Sequence, residues 1–397
     1  MTVITAVECV EYTGAMTAPD GVFADRLRRP ADVYPDCRAI GPEVFPAAAD
    51  PGQVVVKSVA LHLHTDDGRI GTTLQISAES AFLIKTQLAP LLIGADPMAG
   101  ERLWDLAYRS SIHGRRGAGM VALSAVDCAL WDLRGQLLSQ PVHRLLGGPT
   151  RDRIRCYAST LGDSLDSVAV RERSRELVAA GFAGIKWFPR WGPEDGNAGV
   201  RRVVELVAAA RDGAGPDAEI MLDAWSSWDV EFTVKVAHAC RELDLRWIEE
   251  PLLADQDAGH RALRTRMPAG IALAAGEHEY GRWGWRNLLE AGWLDICQPD
   301  PHWAGGISET WKILAQISAA GRIAIFHGQS LQCNAALSFA AGPGLVPQLE
   351  YLTRLMPMYQ HFLRHPMRPV DGWLPEPTLP GLGMAIDESA VIDRRTL

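Results

Sequence analysis

Between Glu219 and His327, four short apolar runs each end on an acid: EIMLD on Asp223, RWIE on Glu249, IALAAGE on Glu277 and LDICQPD on Asp300. A fifth, RIAIFH, ends on His327. Runs that deliver one polar group at their C-terminal end, about 20 residues apart, predict consecutive strands of a parallel sheet or barrel with helices between them. No other feature restricts the fold as much, because side chains that do chemistry in such folds gather at the C-terminal strand ends. Three carboxylates placed there repel one another unless a cation or protons neutralise them, so they predict a bound metal. All-oxygen ligation favours Mg²⁺ over Zn²⁺, which takes His or Cys. The expected ligands are Asp223, Glu277 and one of the adjacent pair Glu249 and Glu250. Successive strand residues face opposite ways, so only one of that pair is expected to bind, and the pattern leaves open which. Asp300 and His327 suit an acid/base pair.

The same rhythm extends in both directions. Strand-like runs at 154–160, 184–188, 219–225, 246–250, 271–279, 294–300, 322–328 and 346–352 alternate with amphipathic stretches such as VRRVVELVAAARD. Eight such runs predict a closed parallel barrel of the α/β class, a modified TIM barrel written (β/α)7β, because a Pro- and Gly-rich tail replaces the last helix. The barrel is assigned to 149–360. Residues 1–148 read as an N-terminal α+β capping domain: strands at 3–12 and 54–65, a DDG turn at 66–68, then RIGTTLQIS and a helical region from Ser80 to Gly148. In it, LSAVDCALWDLRGQLLSQPVHRLLGG carries the spacing of a helix packed on one side. A loop at about 18–52 is long enough to act as a lid, with Arg26, Arg28, Arg29 and Tyr34 as candidates to reach a substrate. The tail, 361–397, is expected to pack back on the capping domain.

Composition narrows the partners. With a net charge of -9, a pI near 5.7 and no dense Lys/Arg run, a nucleic-acid partner is not expected and a small molecule is. Seven cysteines scattered without a CxxC motif predict free thiols in a reducing cytoplasm. The first residues lack the basic start of a signal peptide, and no apolar run reaches the roughly 18 residues of a membrane span. His62 and His64 form an HxH pair, the entry motif of some metal-dependent hydrolases, but they precede the barrel and read as an ordinary strand face. Trp187, Trp191, Trp225 and Trp303, at or just past strand ends, are placed to wall a pocket.

At these residues the chain resembles the enolase superfamily and, within it, the mandelate racemase subgroup. The resemblance runs through SAVDCALWDLRGQ, Lys186, Asp223, WIEEP beginning at Trp247, GEH with Glu277, QPD with Asp300, and His327. It implies Mg²⁺ held by Asp223, Glu249 and Glu277, abstraction of the proton alpha to a substrate carboxylate, and an enediolate stabilised by the metal. The segments RLWDLAYRSSIHGRRG, WGPEDGNAG, DAWSSWDV, GEHE and QPDPHWAGG are similar to the L-rhamnonate dehydratase branch of acid-sugar dehydratases. That likeness implies His327 as base and then acid, with Asp300 fixing its ring and tautomer. It also implies Glu350 on the substrate carboxylate, His278 on substrate hydroxyls, Lys186 polarising the carboxylate or balancing charge, and a homo-oligomer.

Two departures bear on the reaction. Racemases of the subgroup carry KxK at the end of the second barrel strand, the second lysine being a base on the opposite substrate face; here the run is Lys186, Trp187, Phe188. Racemisation exchanges protons on both faces, so one histidine base points to dehydration of an acid sugar to a 2-keto-3-deoxy acid. The branch also takes a histidine from its lid, and 18–52 holds none, so the preferred sugar acid is expected to differ from L-rhamnonate. A racemase or epimerase of the same superfamily, a hydrolase built on His62 and His64, and a sugar-acid binder without turnover are the alternatives.

Overall fold

The computed structural model describes residues 2–17 and 23–397. Strands β1 (Ile4–Thr17), β2 (Gln53–Thr65) and β3 (Ile70–Ile76) form an antiparallel meander. The DDG turn joins β2 to β3: Gly68 adopts φ +81°, and its N–H donates to Thr65 O at 3.1 Å. Alternate residues of β1 and β2, among them Ile4, Leu61 and Leu63, pack with Leu123, Leu130 and Leu133 of the helix Ala118–Leu137. That helix differs from the one-sided packing expected of it. It lies between β3 and the helix Gly306–Ala319, so most of its surface is covered and its sequence shows few charges.

Eight parallel strands follow: β4 (Arg153–Ser159), β5 (Gly184–Trp187), β6 (Glu219–Asp223), β7 (Leu245–Glu249), β8 (Ala272–Ala275), β9 (Ile296–Cys297), β10 (Ile323–Ala324) and β11 (Gln348–Leu352). Their spatial order is β10-β9-β8-β7-β6-β5-β4-β11. Ala324 N donates to Leu345 O at 2.8 Å and bridges the remaining seam. Helices Ser167–Ala179, Gly196–Ala214, Val230–Ala239, Asp257–Arg266, Gly281–Ala291, Gly306–Ala319 and Leu331–Ala340 fill the connections, giving the (β/α)7β arrangement the alternating runs imply. Asp166 and Asp229 cap two of them, accepting from Val168 N and Phe232 N. The strands are shorter than the apolar runs; 271–279 keeps only Ala272–Ala275 in the ladder. The residues beyond leave the sheet at its C-terminal rim, which frees their side chains for the site.

Inside the barrel, Tyr157, Met221, Trp247, Ala274, Ile296 and Ile325 close a dry floor. A second cluster, including Ile185, Trp187, Val203, Leu206 and Ile220, fills the space between strands and helices. The tail divides its contacts. β12 (Trp373–Pro375) pairs antiparallel with β4 of the barrel, while β13 (Asp393–Thr396) pairs with β1. Part of the loop expected as a lid, 18–22, lies outside the described residues. The rest docks on loops at the C-terminal rim: Ala24 N donates to Gly162 O at 2.8 Å, Leu165 N to Asp25 Oδ2 at 2.8 Å, and Asp25 pairs with Arg190 at 2.7 Å. No helix among the described residues is long and apolar enough to cross a membrane.

Candidate active site

The alternation of each strand decides which side chains stand above the floor. Lys186 on β5, Asp223 on β6, Glu249 on β7 and Glu350 on β11 share the inward parity, and the register sets Asp223 beside Glu249. Lys186 is 1% exposed, and its Nζ lies 2.6 Å from Glu249 Oε1, 2.8 Å from Glu350 Oε1 and 3.0 Å from Asp223 Oδ2. Burial alone would pull its pKa down, but the carboxylates outweigh it and hold the ammonium well above the ordinary lysine value. The same ammonium overcomes the effect of burial on Glu350 and keeps that carboxyl below its usual range. Glu350 Oε2 also accepts from Gly328 N at 2.8 Å.

Glu277 reaches the site by a different route. It stands off the inward parity of β8, and Gly276 before it takes φ +128°. A Cβ on Gly276 would come within 2.4 Å of the Trp285 ring, so both the conformation and the contact require glycine. Burial raises the carboxyl pKa to about 6 for Asp223, about 8 for Glu249 and about 8 for Glu277, and neighbouring carboxylates push the same way. Acids so disfavoured as anions, with oxygen donors only, fit a hard divalent cation, whose charge would relieve the repulsion.

The grouping itself differs from expectation in one respect. Among the described residues, the acidic group whose ligand atoms all lie within 4.8 Å of one another is Glu250, Glu277 and His278, while Asp223 and Glu249 are drawn to Lys186. Both Glu249 and Glu250 therefore face the site, although strand alternation would set adjacent residues on opposite faces. β7 ends at Glu249, Glu250 takes φ +39°, and its carboxylate turns to His278 Nδ1 at 2.9 Å. Strand alternation does not extend past the last ladder residue.

His327 and Asp300 meet as expected: Nδ1 lies 2.6 Å from Asp300 Oδ2. Asp300 Oδ1 accepts from His302 N at 2.6 Å, which fixes the carboxylate plane, and Asn334 Nδ2 donates to His327 O at 2.7 Å. Burial opposes charge on the imidazole, but Glu277, Asp300 and Glu350 raise its pKa to about 10. His278 shows the same balance, with Glu250 and Glu277 raising it to about 9 against the effect of burial. Trp303 lies between the two rings, its centroid 4.8 Å from His327 and 5.6 Å from His278, and Trp225 is 6.5 Å from His278.

Other expected wall residues fall elsewhere. Trp187 points outward from β5 into the helix layer, and Trp191 is half-buried there with its carbonyl accepting from Trp228 Nε1 at 2.9 Å. Phe188, by contrast, faces inward, its ring centroid 5.4 Å from Lys186 Nζ. In the loop expected as a lid, Arg28 is 2% exposed and anchors to Glu194 and to Ser227 O, and Arg26 pairs with Asp32; both hold the loop rather than line the pocket. Tyr34 is exposed. His62 lies in the cap sheet with Tyr12 Oη and Thr72 Oγ1 each at 2.9 Å, so its ring nitrogens are already engaged. Glu250, which the strand pattern offered only as an alternative ligand to Glu249, instead partners His278.

Comparison with known proteins places the chain in a family. Residues 49–147 match the mandelate racemase / muconate lactonizing enzyme N-terminal domain, and 169–390 match the enolase C-terminal domain-like family. An L-rhamnonate dehydratase of Saccharopolyspora erythraea is 34% identical over 385 residues, covering 95% of this chain and 93% of that protein. The crystal structure of rhamnonate dehydratase from Gibberella zeae complexed with Mg superposes with a TM-score of 0.85 at 27% identity, over 98% of this chain and 95% of that one. A Streptomyces coelicolor racemase with bound magnesium shares the fold, with a TM-score of 0.79 at 24% identity over 98% and 99%.

Proposed function

The chain belongs to the mandelate racemase / muconate lactonizing enzyme family of the enolase superfamily, and from that membership we propose how its site works. It is a Mg²⁺-dependent hydro-lyase that removes water from an acid sugar, an L-rhamnonate-like aldonate, to give a 2-keto-3-deoxy acid. The observation that carries the reading is the single His327–Asp300 pair, with inward-facing Phe188 where a second base would stand.

In this reading Asp223, Glu249 and Glu277 hold Mg²⁺. When bound, it supplies positive charge to the substrate carboxylate as the alpha carbon loses its proton, and offsets Glu277, the acid that most holds His327 in its charged form. His327 takes the alpha proton at Nε2, the nitrogen left free by its bond to Asp300. The same nitrogen then returns that proton to the 3-hydroxyl, which departs as water, and the resulting enol tautomerises to the ketone. Asp300 holds the tautomer and stabilises the imidazolium between these steps. Glu350 and Lys186 address the substrate carboxylate, and His278 and Trp303 face the sugar hydroxyls. The six cysteines buried as free thiols support a reducing cytoplasm, and the reading includes a homo-oligomer, to be checked by sedimentation.

The test is a panel of mono- and diacid sugars incubated with Mg²⁺ and read for keto-acid formation; no turnover of any member sinks the proposal. His327→Asn is expected to abolish both dehydration and alpha-proton exchange in D₂O, and exchange at the wild-type rate would assign the base elsewhere.

A further inference from the structure

Cys128, His302 and Cys333 come from three separate segments: the cap helix Ala118–Leu137, the loop after β9, and the barrel helix Leu331–Ala340. They meet in the interior with exposures of 0%, 5% and 0%. Their ligand atoms all lie within 4.8 Å of one another. Cys333 Sγ is 3.7 Å from His302 Nε2, and Thr73 Oγ1 of β3 is 3.4 Å from the same nitrogen. A tetrahedral cation bound at about 2.3 Å from sulfur and about 2.0 Å from nitrogen or oxygen spaces an S and an N ligand about 3.5 Å apart and an N and an O ligand about 3.3 Å apart. The two observed separations at His302 Nε2 lie close to such edges, and the third donor, Cys128 Sγ, falls within the same 4.8 Å group.

We propose that Cys128, His302, Cys333 and Thr73 form a second metal site, distinct from the acid-lined pocket, that takes a thiophilic d¹⁰ cation of the Zn²⁺ type. Cys128 and Cys333 bind as thiolates, His302 through Nε2, and the Thr73 hydroxyl occupies the fourth corner. On binding, the two thiol protons pass to solvent, and two thiolate charges balance a divalent cation in a region water does not reach. Sulfur and imidazole donors select against Mg²⁺, so the two sites sort their metals by donor chemistry. The site joins β3 and the cap helix to the barrel. It also steadies the loop on which His302 N holds Asp300 Oδ1, which connects it to the orientation of His327 without contact with substrate.

The test uses full-length protein dialysed against EDTA under reducing conditions, saturated with Mg²⁺ to occupy the acidic pocket, and then titrated with Zn²⁺ or Cd²⁺. One equivalent of Zn²⁺ per chain is expected to survive gel filtration in excess Mg²⁺, and Cd²⁺ to develop thiolate-to-metal charge-transfer absorption from two sulfurs. Cys128→Ala and Cys333→Ala should each remove the retained Zn²⁺, while Cys240→Ala, which alters a buried thiol in the other core layer, should keep it. Wild-type protein that retains no Zn²⁺, Zn²⁺ displaced by Mg²⁺, or retention undiminished in both cysteine variants overturns the proposal. The wild-type stoichiometry decides even if a variant fails to fold. Because these readouts are metal content and absorbance, they stand or fall separately from acid-sugar turnover.

Discussion

Glu250 stands next to Glu249 and does a different job. One is the last ladder residue of β7 and pairs with Lys186; the other has left the strand at φ +39° and pairs with His278. If Glu249 binds Mg²⁺ and Glu250 only orients and charges His278, the two isosteric amides separate them. Glu249→Gln is expected to lower Mg²⁺ affinity by more than about 100-fold, and Glu250→Gln by about 10- to 100-fold, the range for removing a supporting partner. Isothermal titration with Mg²⁺ measures both. The opposite order would place the cation on Glu250, Glu277 and His278 instead.

At the level of elements, the buried acids of the cap helix Ala118–Leu137 secure it to its neighbours. Asp127 accepts from Ser308 N at 2.8 Å and Ser308 Oγ at 2.6 Å, at the start of the helix Gly306–Ala319. Gly306 allows this approach, since a Cβ there would meet Asp127 at 2.4 Å. Asp127→Ala leaves both buried donors without their acceptor and is expected to cost about 2–4 kcal/mol in urea unfolding, with the m-value unchanged. In the cap sheet, burial lowers the pKa of His62 to about 4, with His64 adding to the effect. The folded state thus favours the neutral ring more than the unfolded chain does, whose value is near 6.5. Between pH 6.5 and 4 the unfolded state binds more protons, so stability is full above that window and falls as pH drops through it, by up to about 3 kcal/mol. Urea midpoints from pH 7 to pH 4 should show this slope, and His62→Gln should flatten it; an unchanged slope would assign the acid sensitivity to other groups.

For the whole molecule, the acids that face one another at the barrel mouth are only partly balanced by Lys186, and a bound cation would relieve the remaining repulsion. Mg²⁺ at 100 times its Kd should therefore stabilise the native state by about 2.7 kcal/mol through mass action. Scanning calorimetry with and without EDTA measures this as a rise in Tm, and a Tm indifferent to Mg²⁺ would remove the cation from the pocket. Arg28 anchors its loop near the loop after β6, and β12 and β13 carry the tail from β4 of the barrel across to β1 of the N-terminal sheet.

The sequence by itself determined the order of the barrel strands and the polar residues that follow several of them, because a strand's apolar run and its terminal polar residue are local and survive in one dimension. It also pointed to the His327–Asp300 pair, which the fold brings to 2.6 Å, and to an apolar Phe188 two residues past Lys186. Tertiary structure decided what depends on where a chain leaves its ladder. Gly276 and Glu250 adopt positive φ just past β8 and β7, and this turns Glu277 and Glu250 into the site where alternation would have turned them away. It sent Trp187 outward and put Arg28 to work as an anchor, since a side chain's burial depends on neighbours distant in sequence. It also brought Cys128, His302 and Cys333 together from segments some 30 to 200 residues apart, a meeting that no local pattern encodes.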